Sequence, residues 1–95
     1  LKEIDLDTYV FRKGAHAVVR VHMTNHTAAA VSFDADVVMT GRQRLTRLFQ
    51  NVLPGQSVSK EFIVENVTQL TSRRVRVHLS ERQGSRLWNR ILTIP

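Results

Sequence analysis

The stretch "VSFDADVVMT", residues 31–40, alternates apolar and polar side chains with a period of two. Successive side chains of a β-strand point to opposite faces, so this period predicts a strand with one buried face and one solvated face. The residues of the predicted buried face are Val31, Phe33, Ala35, Val37 and Met39. Ser32, Asp34 and Asp36 fall on the opposite face and are expected to meet solvent.

The same alternation continues on both sides of this stretch. In "AHAVVRVHMTN" (15–25), one face collects Ala17, Val19, Val21 and Met23. The predicted strands cover residues 1–11, 15–25, 31–40, 42–53, 57–66, 73–79 and 86–95, with turns at 12–14, 54–56 and 80–85. Segment 42–53 is ambiguous, because Leu45, Leu48 and Phe49 also fit a helical spacing. A strand running into a loop is favoured there, since the segment is short and is closed by "PGQ".

About seven strands with regular turn signals predict an all-β chain: a single antiparallel β-sandwich domain over residues 1–95, immunoglobulin-like or related. A small barrel is the structural alternative. The chain has no cysteine, so it lacks the inter-sheet disulfide of antibody-type domains and any thiolate metal site.

Catalytic and cofactor motifs are also missing from the sequence. There is no nucleophile elbow, no phosphate-binding glycine loop and no His-Glu-x-x-His run. His22 and His78 fall on outward strand faces, where they are expected to be solvated. We therefore expect a protein that is not an enzyme and that needs neither a metal nor another cofactor. Two glycosylation triplets, Asn25-His26-Thr27 and Asn66-Val67-Thr68, fall near predicted loops.

The basic charge is the feature that points to a partner. Eleven arginines and three lysines make up the 14 basic residues, and the net charge is +6. Six of the arginines lie in "RRVRVHLSERQGSRLWNR" (73–90), against a single glutamate. Alternation explains this pattern as the outward face of a β-hairpin. If the third and sixth strands pair, Asp34 and Asp36 are expected to lie across from Arg74 and Arg76.

Two aspartates cannot neutralise the other arginines, so positive surface is expected near the loops at 40–47 and 80–86. The candidate partner-binding residues are Arg42, Arg44, Arg47, Arg74, Arg76 and Arg86. An acidic protein or another anionic surface is the expected contact. Nucleic acid is disfavoured, because the aromatic residues on which bases would stack are few and no known binding motif is present.

The order of pieces in "AHAVVRVHMTN", "LPGQSVSKEFIVEN" and "RRVRVHLSERQGSRLWNRILTI" resembles small β-sandwich lipoproteins of the type III secretion pilotin group. The resemblance spans roughly residues 15–94. It implies a non-enzymatic chaperone on the periplasmic side of the bacterial outer membrane, anchored by a lipid on a cysteine upstream of this chain. The implied partner is a C-terminal segment of a secretin subunit, which the pilotin guides to the outer membrane.

A second hypothesis follows from the residues without this resemblance. An immunoglobulin-like interaction or adhesion module of a larger exported, extracellular protein would show the same strand pattern. Its basic surface would then dock an acidic partner. The two hypotheses share a protein partner and differ in its identity.

Overall fold

Seven β-strands carry the apolar stretches of the sequence in the computed structural model, which describes residues 3–70 and 72–95. The strands are β1 (Ile4–Lys13), β2 (His16–Asn25), β3 (Val31–Val38), β4 (Leu45–Val52), β5 (Ser57–Val64), β6 (Arg74–Glu81) and β7 (Leu87–Thr93). A 3-10 turn at Val67–Gln69 is the one helical element among the described residues. The predicted all-β fold is confirmed. Leu1 and Lys2 of the first predicted strand and Thr71 of the predicted loop lie outside the described residues.

The strands form two antiparallel sheets that face each other. The first sheet has the order β1-β2-β5 and the second the order β4-β3-β6-β7, so the predicted pairing of the third and sixth strands is confirmed. This order is that of the immunoglobulin constant-type sandwich in all strands but one. Strand β4 pairs with β3 here, whereas in that sandwich it pairs with β5.

The core lies between the sheets and consists of the apolar faces that alternation predicts. Phe33 and Phe49 are cross-strand partners on β3 and β4, and both rings are almost completely buried. Facing them are the valines and the methionine of β2, and the centre is completed from β6 by Val75, Val77 and Leu79. Each fully buried side chain of this size stabilises the fold by roughly 1.5–3 kcal/mol relative to exposure.

Most strand limits differ from the sequence prediction by one to three residues. Strand β1 runs on to Lys13, through residues that were predicted to turn, because the tight turn needs only Gly14 and Ala15. Gly14 supplies the positive φ of 64° that this turn requires. The ambiguous segment 42–53 is a strand, as favoured, but its register against β3 shifts between Val31 and Phe33.

Candidate partner-binding surface

The predicted charge pairing between β3 and β6 is wrong in its register. Asp34 lies across from Ser80 and Asp36 across from His78, so neither faces an arginine of β6. Arg76 lies across from Val38, at the end of β3, and Arg74 has its cross-strand partner on β7 instead. The aspartates and arginines share the outer face of the sheet, but the antiparallel register places them in different rows.

The two aspartates are paired with arginines of the loops. Asp34 Oδ2 accepts a hydrogen bond from Arg82 Nε at 3.0 Å. This bond, together with the carboxylate's charge, raises the pKa of the Arg82 guanidinium. Asp36 accepts a hydrogen bond from Thr46 Oγ1 at 2.8 Å and lies 4.0 Å from Arg44 Nη1. Exposed ion pairs of this kind contribute little to stability. Their main effect is to neutralise the charge of the two loop arginines.

Arg42 and Arg47 connect the two sheets along the β4 and β5 side. Arg47 Nη1 donates to the main-chain oxygen of Glu61 on β5 at 3.1 Å. Arg42 donates to the main-chain oxygens of Glu65 and, at 2.7 Å, Asn66. Strand β5 is an edge strand, and its outer carbonyl groups would otherwise be free to pair with another chain. Arg47 therefore caps one carbonyl group of this edge, and Arg42 fixes the loop that follows it.

Arg86 and Arg12 connect the sheets along the opposite side. Arg86 forms ion pairs with Glu81, at 2.7 Å, and with Glu3, which lies just before β1. These hydrogen bonds, the one to Glu3 first, raise the pKa of the Arg86 guanidinium. Arg12 Nη1 donates to the main-chain oxygen of Pro95 at 3.3 Å. Arginines thus bridge both open sides of the sandwich.

Replacing both arginines, Arg42→Ala with Arg47→Ala, is expected to lower the free energy of unfolding by about 1 kcal/mol per arginine, because the hydrogen bonds to β5 and to the loop after it are lost. Self-association through the exposed edge of β5 is also expected to rise. Chemical denaturation and sedimentation velocity at several concentrations measure the two effects. Arg44→Ala is the control, because its side chain is 66% exposed and its ion pair is long. Unchanged stability and association in the double variant would contradict the capping role.

Four arginines have no hydrogen-bond acceptor for their side chains among the described residues. They are Arg73, Arg74, Arg76 and Arg90. Arg74 and Arg76 stand on the outer face of β6, two residues apart, so their Cα atoms are roughly 6–7 Å apart. They border an open groove of about 420 Å³, which we call the basic groove. It is lined by Val38, Met39, Thr40, Ser72, Arg74, Arg76 and Ile91.

The predicted site residues therefore separate into two groups. Arg42, Arg44, Arg47 and Arg86 make contacts within the domain, whereas the guanidinium groups of Arg74 and Arg76 have no acceptor in residues 3–70 and 72–95. Sequence reasoning missed Arg90 and Ile91 of β7. They adjoin the groove beside Arg76 and Asn89. The alternation of β7 could have identified Ile91, because it places this isoleucine on the solvated face of an edge strand, where large apolar side chains are uncommon.

His22 and His78 have ordinary polar partners. His78 Nδ1 lies 2.6 Å from Asn89 Oδ1, and His22 Nδ1 lies 2.5 Å from Ser59 Oγ. Within residues 3–70 and 72–95, no group of three or more histidine, aspartate or glutamate side chains is placed to hold a metal ion.

The two glycosylation triplets differ sharply in exposure. Asn66 is exposed in the loop after β5. Asn25 ends β2 and is completely buried, with its side-chain nitrogen donating to the main-chain oxygens of Ala29 and Val52, both at 2.8 Å. The first triplet therefore cannot carry a glycan in the folded domain, and its asparagine has a structural role.

No protein-family model, curated protein or solved structure matches the chain. In the part of the chain that the structure describes, no helix has the length and apolar character needed to cross a membrane.

Proposed function

We propose that the chain is a non-enzymatic protein-interaction module whose basic groove binds an acidic segment of a partner protein. One observation carries this proposal. Arg74 and Arg76 lie side by side with no hydrogen-bond acceptor for their guanidinium groups among the described residues. The fold uses seven other arginines in contacts within the domain, namely Arg12, Arg20, Arg42, Arg44, Arg47, Arg82 and Arg86.

The groove combines charge with an apolar surface. Val38 and Ile91 lie in one cross-strand row with Arg76 between them, so the guanidinium stands between two aliphatic side chains. Ile91 is 53% exposed. A glutamate or aspartate side chain bound here could accept bidentate hydrogen bonds from a guanidinium through its carboxylate. The aliphatic part of the same acidic side chain would then cover the exposed Ile91. This arrangement suits a protein segment better than a simple inorganic anion.

The two neighbouring guanidinium groups also repel each other. Like charges on one strand face destabilise the free domain slightly, and an acidic partner removes that repulsion when it binds. The net charge of +6 adds long-range attraction, which raises the rate of association with an acidic partner at low ionic strength.

The pilotin-type function is the narrowest form of this proposal. In that form the partner is a secretin C-terminal segment, and the chain works on the periplasmic side of the bacterial outer membrane. The resemblance in the order of sequence pieces over residues 15–94 supports this form. The broader form, an interaction module of an exported protein with an acidic partner, rests on the basic groove alone.

Reversal of either groove arginine, Arg74→Glu or Arg76→Glu, is expected to weaken binding of an acidic peptide about tenfold, which corresponds to roughly 1.4 kcal/mol. The probe is a synthetic peptide of alternating glutamate and valine, titrated into the labelled domain by NMR. Lys13→Glu is the matched control: it makes the same change in net charge on the outer face of the other sheet. We expect its affinity to stay within about twofold of the unmodified chain, because screening weakens distant charges.

Two further probes decide the identity of the partner. A peptide from a secretin C-terminus that shifts the groove resonances, and still binds at high salt, would support the pilotin form. A short oligonucleotide that binds more tightly than the acidic peptide, with affinity falling steeply with salt, would overturn the proposal in favour of nucleic acid. Equal loss of peptide binding in Lys13→Glu and Arg76→Glu would also overturn it, because net charge would then be the cause.

A further inference from the structure

We infer that the partner segment, if the proposed function holds, binds as an added β-strand along the free edge of β7. Strand β7 ends the four-stranded sheet, and β6 is its one partner strand in the part of the chain that the structure describes. The main-chain nitrogen of Ile94 donates to the main-chain oxygen of Arg73, and the main-chain nitrogen of Glu81 donates to the main-chain oxygen of Arg86. These two bonds identify the hydrogen-bonded pairs of the ladder between β6 and β7. In an antiparallel ladder these pairs alternate with pairs that do not bond each other.

The alternation identifies the backbone groups at the free edge of β7. The hydrogen-bonded pairs include Val75 with Leu92 and Val77 with Arg90. The intervening residues of β7 therefore direct their N–H and C=O groups away from β6. These residues are Leu87, Asn89, Ile91 and Thr93. They form a row of donors and acceptors that an extended segment can pair with.

The other edges of the sandwich are less suited to an acidic strand. On β5, Arg47 already donates to the edge carbonyl group of Glu61, and Arg42 binds the loop that follows the strand. Strand β4 is irregular, with a register shift against β3 and a positive φ of 50° at Asn51, and such bulges interrupt strand pairing. Strand β1 carries Asp5 and Asp7, whose charges repel an acidic segment.

Arg90 explains why the added strand should be acidic. It lies across from Val77, on the face of β7 that points towards the core, yet its side chain is exposed and has no acceptor among the described residues. Inward-pointing charges on edge strands prevent pairing with apolar strands. An acidic residue placed opposite Arg90 removes that obstacle, and Arg76 can reach a second acidic residue across Ile91.

The same charges disfavour a second copy of the chain as the occupant. Pairing of β7 with β7 of another copy would bring two sets of Arg74, Arg76 and Arg90 together on one sheet. In such a pair of strands, arginines would face arginines instead of acidic residues, and like charges in these positions are destabilising. The geometry therefore points to a foreign acidic strand.

Amide hydrogen exchange on the unmodified chain tests this mode of binding. The first probe is a glutamate–valine peptide with the length of β7, 7 residues, and with two adjacent glutamates at its centre, so that one can lie opposite Arg90 and the next opposite Ile91. The second is the same peptide with N-methyl groups on alternate amides, which keeps the charges but removes the hydrogen bonds of one strand edge. We expect the first peptide to protect the amides of Leu87, Asn89, Ile91 and Thr93, and the second to bind about tenfold more weakly or worse.

A pair of protein variants gives a second readout. Ile91→Pro removes an edge N–H that does not bond β6, and proline is tolerated at such edge positions. Ile91→Thr trims the same side chain but keeps the N–H. We expect about a tenfold loss of affinity for the first peptide in Ile91→Pro, and a change within about threefold in Ile91→Thr.

The outcomes separate this inference from the proposed function. Equal binding of both peptides, with shifts at Arg74 and Arg76 but no protection on β7, would overturn strand addition and keep the acidic partner. Binding of neither peptide would overturn the proposed function as well. Protection of the same four amides on self-association, without peptide, would identify a second copy as the occupant and overturn the acidic partner.

Discussion

The variant Asn25→Asp is expected to be largely unfolded at neutral pH. The buried amide of Asn25 donates to two main-chain oxygens and accepts from Thr27, both from its main-chain nitrogen at 2.9 Å and from its hydroxyl at 2.7 Å. Aspartate replaces the donating nitrogen by an oxygen that faces the carbonyl groups of Ala29 and Val52. We expect a loss of about 4 kcal/mol or more in the free energy of unfolding. The total free energy of unfolding of a natural domain is about 5–15 kcal/mol.

The pH dependence of this variant provides a specific signature. Burial without a cation raises the pKa of the introduced carboxyl in the folded state above the value of about 3.9 in an unfolded chain. The folded state then binds the proton more tightly than the unfolded state. Stability should therefore return as the pH falls towards the unfolded value, because a protonated carboxyl can donate to one of the carbonyl groups. Urea denaturation followed by tryptophan fluorescence at several pH values measures this recovery.

Asn66→Asp is the matched control, since it makes the same chemical change in the other glycosylation triplet. Asn66 is exposed and has a positive φ of 52°, a conformation that aspartate also adopts. Its stability should stay within about 0.5 kcal/mol of the unmodified chain. Equal stability of the two variants at neutral pH would show that Asn25 is not the buried junction that the structure describes.

The role of Asn25 could not be predicted from the sequence, whereas the core could. Alternation alone identifies the buried faces of β2, β3 and β6, because each side chain on a strand has only two possible directions. The partners of a buried polar group depend on loops that return to it from elsewhere in the chain. For Asn25 those partners lie in the loop after β2 and at the end of β4. No local sequence pattern specifies that these two segments contact Asn25.

The candidate site divides in the same way. The sequence places Arg74 and Arg76 on a solvated strand face, and the structure agrees. It does not specify the register between β3 and β6, which depends on the turns and the bulge, so the expected aspartate partners lie in other rows. The contacts of Arg42, Arg47 and Arg86 also depend on how the two sheets meet. Reading the chain strand by strand therefore overestimates the number of arginines available to a partner.

This use of arginine follows from the architecture. A sandwich of two short sheets has open sides where main-chain carbonyl groups and core side chains would meet water. Arginine has a long aliphatic stem and five donors, so it can cover apolar atoms and still reach the opposite sheet. The remaining arginines are therefore the informative ones, and they concentrate on β6 and β7.

The variant Phe49→Ala is expected to cost about 3–5 kcal/mol in the free energy of unfolding. Phe49 is completely buried on β4 and lies across from Phe33, and Lys60 Nζ lies 5.8 Å from the centre of its ring. Truncation removes a large apolar surface and leaves a cavity that the sheet cannot fill. With the size of this domain, a loss of 1 kcal/mol lowers the melting temperature by about 4–8 °C, so thermal denaturation should detect it easily.

Leu48→Ala is the control that distinguishes a strand from a helix in this segment. On a helix Leu48 and Phe49 would share the face that also holds Leu45, and both substitutions would be severe. In the strand, Leu48 lies across from Asp34 on the outer face and is only half-buried, so its truncation should cost about 1 kcal/mol. Similar losses in the two variants would contradict the strand.

The helix-like spacing of this segment has a cause in the strand itself. Phe49 and Val52 are both buried although they are three positions apart, because the register shifts between Val31 and Phe33 on the neighbouring strand. A β-bulge of this kind turns a period of two into a local spacing of three, which a helix also shows. A large effect at Phe49 and a small one at Leu48 would therefore verify both the strand and its irregularity. That irregularity also leaves β7 as the more regular edge of its sheet for a partner strand to meet.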